Sequence, residues 1–288
     1  MRLRLGHATF DETDLIVMAI INRTPDSFFD KGATFADETA MGAVDAAVAA
    51  GAAIVDIGGV KAGPGDHVDV NEELRRTVEF VRAVRERHPG VVISVDTWRA
   101  TVGAAVVEAG ADLLNDAWGG HDADLARVAG DAGVGLVCTH TGGATPRTRP
   151  HRVAYDDVTT AVVDWCAREA DRAARLGVPE ESIIVDPGHD FGKNTRHSLQ
   201  LTRDLGQLVA LGRPTLVSLS NKDFVGETLG GRPPEERLTG TLATTAICAW
   251  LGARVYRAHQ VRQTRDVLDM VSTIRGDREP AVARRGLA

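Results

Sequence analysis

Residues 52–65 read AAIVDIGGVKAGPG. The first half is a short apolar run broken only by Asp56, the composition of a strand buried on both faces. The second half empties into Gly58, Gly59, Gly63 and Gly65 with Pro64 among them, where a backbone can approach a ligand closely. That loop offers little to hold one, because Lys61 is its only charged side chain before Asp66. The same unit recurs along the chain. LIVMAIIN (15–22), VVISVDT (91–97), DLLNDAW (112–118), VGLVCTH (134–140), SIIVDPG (182–188), PTLVSLS (214–220) and ARVYRAH (253–259) bring the number of strand-like runs to eight. Ala-, Leu- and Arg-rich segments with helical spacing lie between them, for example DDVTTAVVDWCAREADRAARLG (156–177). Seven glycines precede a strand where a left-handed residue would close a helix: Gly51, Gly90, Gly110, Gly133, Gly177, Gly212 and Gly252. Eight even β/α units predict a single α/β domain, a (β/α)8 TIM barrel over residues 1–275, with a doubly wound sheet as the less favoured alternative. The polar, Pro/Gly-punctuated stretch 276–288 reads as a disordered tail.

Composition narrows the partners. The 288 residues carry 33 Lys and Arg against 40 Asp and Glu, a net charge of −7, which disfavours nonspecific nucleic-acid or membrane-surface binding. The three cysteines, Cys138, Cys166 and Cys248, lack CxxC spacing and read as reduced structural thiols. No apolar run approaches the roughly 18 residues of a membrane span, and no signal-like leader is evident, so a cytoplasmic protein is expected.

The ends of the strands carry the chemistry. In order they present Asn22, Asp56, Asp96, the pair Asn115 and Asp116, His140, Asp186, Ser220, and Arg257 with His259. For any one of them a hydrogen bond to a loop backbone is the simpler role than catalysis. All at one end of one barrel, they form a polar floor where barrel active sites sit. Arg257 and His259 are two apart and face one side, which suits a phosphate or diphosphate; pairing of Arg257 with a floor carboxylate is the alternative. Asp96, Asn115 and Asp186 suit the amino-pyrimidine edge of a flat ring, or a metal, although no tight ligand spacing supports a metal cage. The four tryptophans, Trp98, Trp118, Trp165 and Trp250, read as packing residues, with Trp98 and Trp118 able to wall the site. The basic loop TPRTRPHR (145–152) reads as a solvated segment.

INRTPDSFFDKG (21–32), DIGGVKAGPG (56–65), ISVDTWRATV (93–102), LLNDAWGG (113–120), VDPGHDFGKN (185–194), LSNKDFVG (219–226) and YRAHQV (256–261) together resemble, in order, the motifs of the dihydropteroate synthase family. The resemblance covers nearly the whole chain and implies a pterin-binding barrel. The family condenses a hydroxymethyl-dihydropterin diphosphate with p-aminobenzoate, assisted by Mg²⁺. By that resemblance Asp96, Asn115, Asp186 and Lys222 fall on the pterin pocket. Asn22, Arg257 and His259 fall on the diphosphate side, Asn22 also toward the metal. Pro64, Phe191 and Ser220 fall near p-aminobenzoate and the sulfa drugs, and Asp30 lies on a loop that closes over the diphosphate. A homodimer through the last two helices is implied on the same ground.

The departures are uneven. Where the family has Glu-Ser-Thr-Arg, this chain has Val60, Lys61, Ala62 and Gly63. Loss of an Arg that meets developing charge costs on the order of 3 kcal/mol, and Lys61 is a point charge rather than a planar fork. Asn221 stands for Arg, Gln260 for Asp, Thr139 for an apolar Met, Arg23 for a small residue, Phe29 for Ser, Lys31 for Gly, and His189 with Asp190 for an apolar or Gly pair. The floor is kept and the loops are rewritten. The chain therefore resembles the divergent second copy of dihydropteroate synthase found in actinobacteria. The expected function is a paralogue without efficient synthase activity that keeps a pterin and anion pocket of low affinity, with sulfone or sulfonamide binding. The alternatives are an authentic synthase in which Lys61 and Arg23 compensate, an enzyme for another substrate using His189, Asp190 and Arg23, and a non-catalytic scaffold.

Overall fold

The computed structural model of the chain describes residues 1–24, 37–61, 63, 65–148 and 153–285. Ten strands run in chain order: β1 (Leu3–Leu5), β2 (Ala8–Phe10), β3 (Ile16–Asn22), β4 (Ile54–Gly58), β5 (Val92–Asp96), β6 (Leu113–Asp116), β7 (Gly135–Thr139), β8 (Ile183–Asp186), β9 (Leu216–Ser218) and β10 (Val255–Ala258). The last eight form one parallel sheet in the order β8-β7-β6-β5-β4-β3-β10-β9. Its two edges meet where Val185 bridges Thr215 and the Val185 amide donates to the Pro214 carbonyl at 3.0 Å. The sheet is a closed (β/α)8 barrel, which removes the doubly wound alternative.

Alternation along the strands separates two cores. Ile16, Met18, Ile54, Val92, Leu113, Val137, Ile184, Leu216 and Val255 fill the barrel axis. Their neighbours, such as Val17, Val55, Ile93, Leu114, Leu136, Val185, Val217 and Tyr256, face the surrounding helices. The helices answer with one apolar face each. In the helix Val70–Arg87, Thr77, Phe80, Val81 and Val84 are buried, and the Asp69 side chain caps the start by accepting the Glu72 amide.

Sequence periodicity gave no sign of β1 and β2. They form an antiparallel hairpin that closes the bottom of the barrel, with Leu3 and Leu5 fully buried among the axis residues. A three-residue strand is too short to show alternation. Six of the seven helix-closing glycines have left-handed φ, from 67° at Gly133 to 110° at Gly110; Gly90 does not, because its helix already ends at His88 with φ −128°. Residues 276–285 hold no helix or strand.

Candidate functional site

The floor follows from the two-residue period. Two positions on from Ile54 is Asp56, from Leu113 Asn115, from Ile184 Asp186 and from Val255 Arg257. Ser94 and Asp96 follow Val92, Ser218 and Ser220 follow Leu216, and Asn22 follows Met18 by way of Ile20. The axis that is apolar at the bottom of the barrel is therefore polar at the carboxyl end. Asp116 and His140, one residue off this period, do not join the floor. Asp116 accepts the amides of Trp118 (3.1 Å) and Gly120 (2.6 Å) and so folds the loop after β6.

Asp56 is the hub. Fully buried, it accepts from Ser94 Oγ at 2.6 Å, from Asn115 Nδ2 at 3.2 and 3.3 Å, and from Arg257 Nε at 2.6 Å. A second Arg257 nitrogen donates to Asp96 at 3.0 Å. Arg257 thus pairs with two floor carboxylates. Burial pushes the Asp96 carboxyl up to about 7, with Arg257 opposing and the Asp56 charge adding to the rise. Ser220 Oγ lies 3.0 Å from His259 Nδ1 and donates to Gln260 Oε1 at 3.2 Å. Burial and the Arg257 charge hold His259 down at about 3, so its ring is neutral.

Above this floor opens a cavity of about 560 Å³. Of the expected residues, Asn22, Asp96, Lys222, Arg257, His259, Phe191 and Ser220 line it, together with Val60, Lys61 and Gly63. Asn115 and Asp186 sit just beneath the lining, Asn115 held by Asp56 and Asp186 by the Gly188 amide at 2.7 Å. Lys222 donates to the His189 carbonyl at 2.5 Å and lies 4.8 Å over the Phe191 ring. Burial lowers Lys222 and raises Asp186, each opposed by the other's charge. Pro64, Ala62 and the part of the first motif holding Phe29, Asp30 and Lys31 lie outside the described residues.

The rewritten residues divide: Val60, Lys61, Gly63 and Asp190 still line the cavity, whereas Asn221, His189 and Arg23 do not. Val60 packs with Val68, Trp98, Trp118 and Ala144 in a buried cluster that also receives Phe191. Asn221 is fully buried at φ 57°, a left-handed conformation that Asn tolerates, and its Nδ2 reaches Gln260 Oε1 at 3.5 Å. His189 is fully buried, stacked on Phe224 and 3.1 Å from Thr202 Oγ1. Arg23 lies over the Phe80 ring at 4.6 Å and donates to the Arg76 carbonyl. Asp190 lines the cavity but caps the helix Asp223–Thr228 through the Phe224 amide. His189 and Arg23 are thus both buried in packing contacts and neither lines the cavity. Trp118 lines the cavity and Trp98 backs it edge-on at 6.4 Å. Trp250 corrects the packing expectation, being 60% exposed. Lys193, unassigned by sequence, also lines the cavity.

No three His, Cys, Asp or Glu side chains converge as a metal cage among the described residues. Asn22, whose amide oxygen is a hard-cation type of donor, lines the cavity, and Asp56 and Asp96 are engaged by Arg257. Gly58 keeps the space between open: a Cβ there would lie 3.9 Å from Asn22 Oδ1 and 3.8 Å from Asp96 Cβ. No helix among the described residues is long and apolar enough to cross a membrane.

The pterin-binding enzyme family model matches residues 18–259. The inactive dihydropteroate synthase 2 of Mycobacterium leprae is 55% identical over 277 residues, covering 95% of this chain and 95% of that protein. The Yersinia pestis dihydropteroate synthase, solved in complex with a sulfonamide drug, superposes with a TM-score of 0.90 at 33% identity, covering 96% of this chain and 100% of that one. The Xanthomonas albilineans dihydropteroate synthase solved with 4-aminobenzoic acid gives a TM-score of 0.86 at 33% identity, covering 98% of this chain and 99% of that one. A polar floor on a closed barrel and matches over nearly the full length lead to one conclusion: the chain belongs to the pterin-binding enzyme family and is built as a dihydropteroate-synthase-like barrel.

Proposed function

We propose that this protein is a dihydropteroate-synthase-like paralogue that no longer condenses its family's substrates efficiently and keeps a low-affinity pterin and anion pocket. One observation carries the reading. The floor of Asp56, Asp96, Asn115, Asp186, Lys222 and Arg257 is assembled, whereas on the loops Asn221 is packed away from the cavity and Val60 presents only an apolar wall to it. The family reaction breaks a carbon–oxygen bond to diphosphate, so it needs donors aimed at the leaving group. Here Arg257 is shared between two carboxylates and His259 is neutral, which leaves little charge on these two side chains for a diphosphate. The name of the Mycobacterium leprae relative, an inactive synthase, supports the same reading. Asp96, Asn115, Asp186 and Lys222 would take the ring edge. The Phe191 and Trp118 rings, edge-on at 5.3 Å, would take an arene such as that of a sulfonamide.

Mg²⁺ would be held by Asn22 and by the ligand's own phosphate oxygens, neutralising charge on the diphosphate. A cytoplasmic homodimer fits the same reading. Ile247 and Trp250 on the helix Leu238–Trp250, with Met270 and Ile274 on Val261–Arg275, are 51–60% exposed and would be covered by a second copy. Calorimetric titration with hydroxymethyl-dihydropterin diphosphate and Mg²⁺, followed by a p-aminobenzoate turnover assay, tests the function. Weak binding without turnover is expected; tight binding with turnover would establish an authentic synthase instead.

A further inference from the structure

The loops after β7 and β8 lie unusually close. A Cβ on Gly188 would fall 2.0 Å from the His140 carbonyl oxygen, and one on Gly192 2.2 Å from that of Thr141. Both glycines also have left-handed φ, 64° and 60°. Into this seam runs Lys193. Its amine lies 2.8 Å from His140 Nδ1 and donates to the His140 carbonyl at 3.0 Å and to the Phe191 carbonyl at 2.9 Å. With Lys193 protonated and the His140 proton on Nε2, three N–H donors match the three contacts; with Lys193 neutral, all three survive only if the His140 proton moves to Nδ1.

We propose that Lys193 is a positioning residue for the ligand pocket: by tying the end of β7 to the Phe191 backbone, it sets the ring that walls the cavity. Phe191 is the right target, since its ring meets Trp118 edge-on on one side and the Lys222 ammonium on the other. Losing one proton from Lys193 either breaks the contact with His140 Nδ1 or forces the ring proton onto Nδ1, and both re-set that wall. Burial brings Lys193 down to about 7, opposed by Asp186, Asp190 and Cys166 and reinforced by Lys222, and it holds His140 neutral at about 3. Tyr155, which donates to the Gly192 carbonyl at 2.8 Å, and His197, whose ring sits against it, also face the seam, and the Arg168 charge adds to the lowering of His140.

The proposal deepens the pocket reading above, and its primary test needs no ligand. The indole N–H resonance of Trp118, assigned with Trp118→Phe, is followed from pH 5.5 to 9 in the wild type, Lys193→Met and Lys193→Arg. The wild-type resonance is expected to shift with a midpoint near 7. Lys193→Met should lie flat at the high-pH position, and Lys193→Arg should lie flat near the low-pH position. Titration with 6-hydroxymethylpterin should then show about a tenfold weaker Kd for Lys193→Met, restored in Lys193→Arg. A Trp118 resonance that titrates identically in wild type and Lys193→Met overturns the positioning role. Should Lys193→Met fail to fold, a flat wild-type titration overturns it equally. A wild type that titrates but binds no pterin sinks the pocket reading and leaves the positioning role standing.

Discussion

The floor and the rim of this barrel were treated differently. On the floor, Asp56 takes four hydrogen bonds from three partners on three other strands, so no member can change without stranding another. On the rim, Val60 has joined a tryptophan cluster, and Asn221 contacts Gln260, another changed residue, so each has found a local partner. A buried charge network persists because breaking it singly is costly, whereas a loop can be rewritten one side chain at a time. The barrel therefore keeps an assembled floor beneath loops that differ from the family's motifs.

The largest test of that contrast is Asp56→Ala. It leaves the Arg257 guanidinium with Asp96 alone in a buried setting, and urea denaturation should show a loss of about 3–5 kcal/mol. A loss below about 1 kcal/mol, the range of exposed pairs, would mean that the floor is wet and replaceable.

Asn221→Arg comes next. The position is fully buried, and the Arg237 guanidinium already donates to the Asn221 carbonyl at 2.8 Å, so a second cation there should cost roughly 2–3 kcal/mol. The double variant with Gln260→Asp should recover much of that loss, because the new carboxylate would face the new guanidinium. Additive costs in the double-mutant cycle would show that the two positions are not coupled.

Val60→Glu carries the contrast to the other side of the mouth. A carboxylate pressed against Trp98 and Trp118 should cost about 2 kcal/mol, against less than about 0.5 kcal/mol for Lys61→Ala next to it. Equal thermal shifts for the two variants would place Val60 outside the cluster in solution.

The smallest expected effect is on pH dependence. Burial raises Asp96 to about 7 and Asp116 to about 6, above the ordinary carboxylate value of 3.8. The folded state thus binds protons that the unfolded chain has released, and their contribution to stability is full below about 4 and lost as pH rises through 6 to 7. Asp116→Asn should flatten part of that decline in a series of urea midpoints; an unchanged slope would refute the raised carboxyl. Lys193 acts in the neighbouring window. Its value is depressed to about 7, so its contribution appears above about 10.5 and is lost as pH falls toward 7.

Periodicity and composition were sufficient for the barrel, because eight buried parallel strands leave eight continuous apolar runs and an end-of-helix glycine before most of them. The two-residue period also carried the floor as far as Asp96, Asn115, Asp186 and Arg257. It had equal information about Asp56 as an inward residue, yet not about its role as hub, which needs strands β4, β5, β6 and β10 brought together in space. The period also separates Asp116 and His140 from the floor, a distinction that listing strand ends hides. Only the tertiary structure turned His189, Asn221 and Arg23 away from the cavity, brought Lys193 into it and set the β1–β2 hairpin under the axis. The division has a physical cause. Which face of a strand a side chain takes is a local consequence of backbone geometry, fixed by the order of residues, whereas which partner satisfies a buried polar group depends on chain segments tens to hundreds of residues apart meeting at one point.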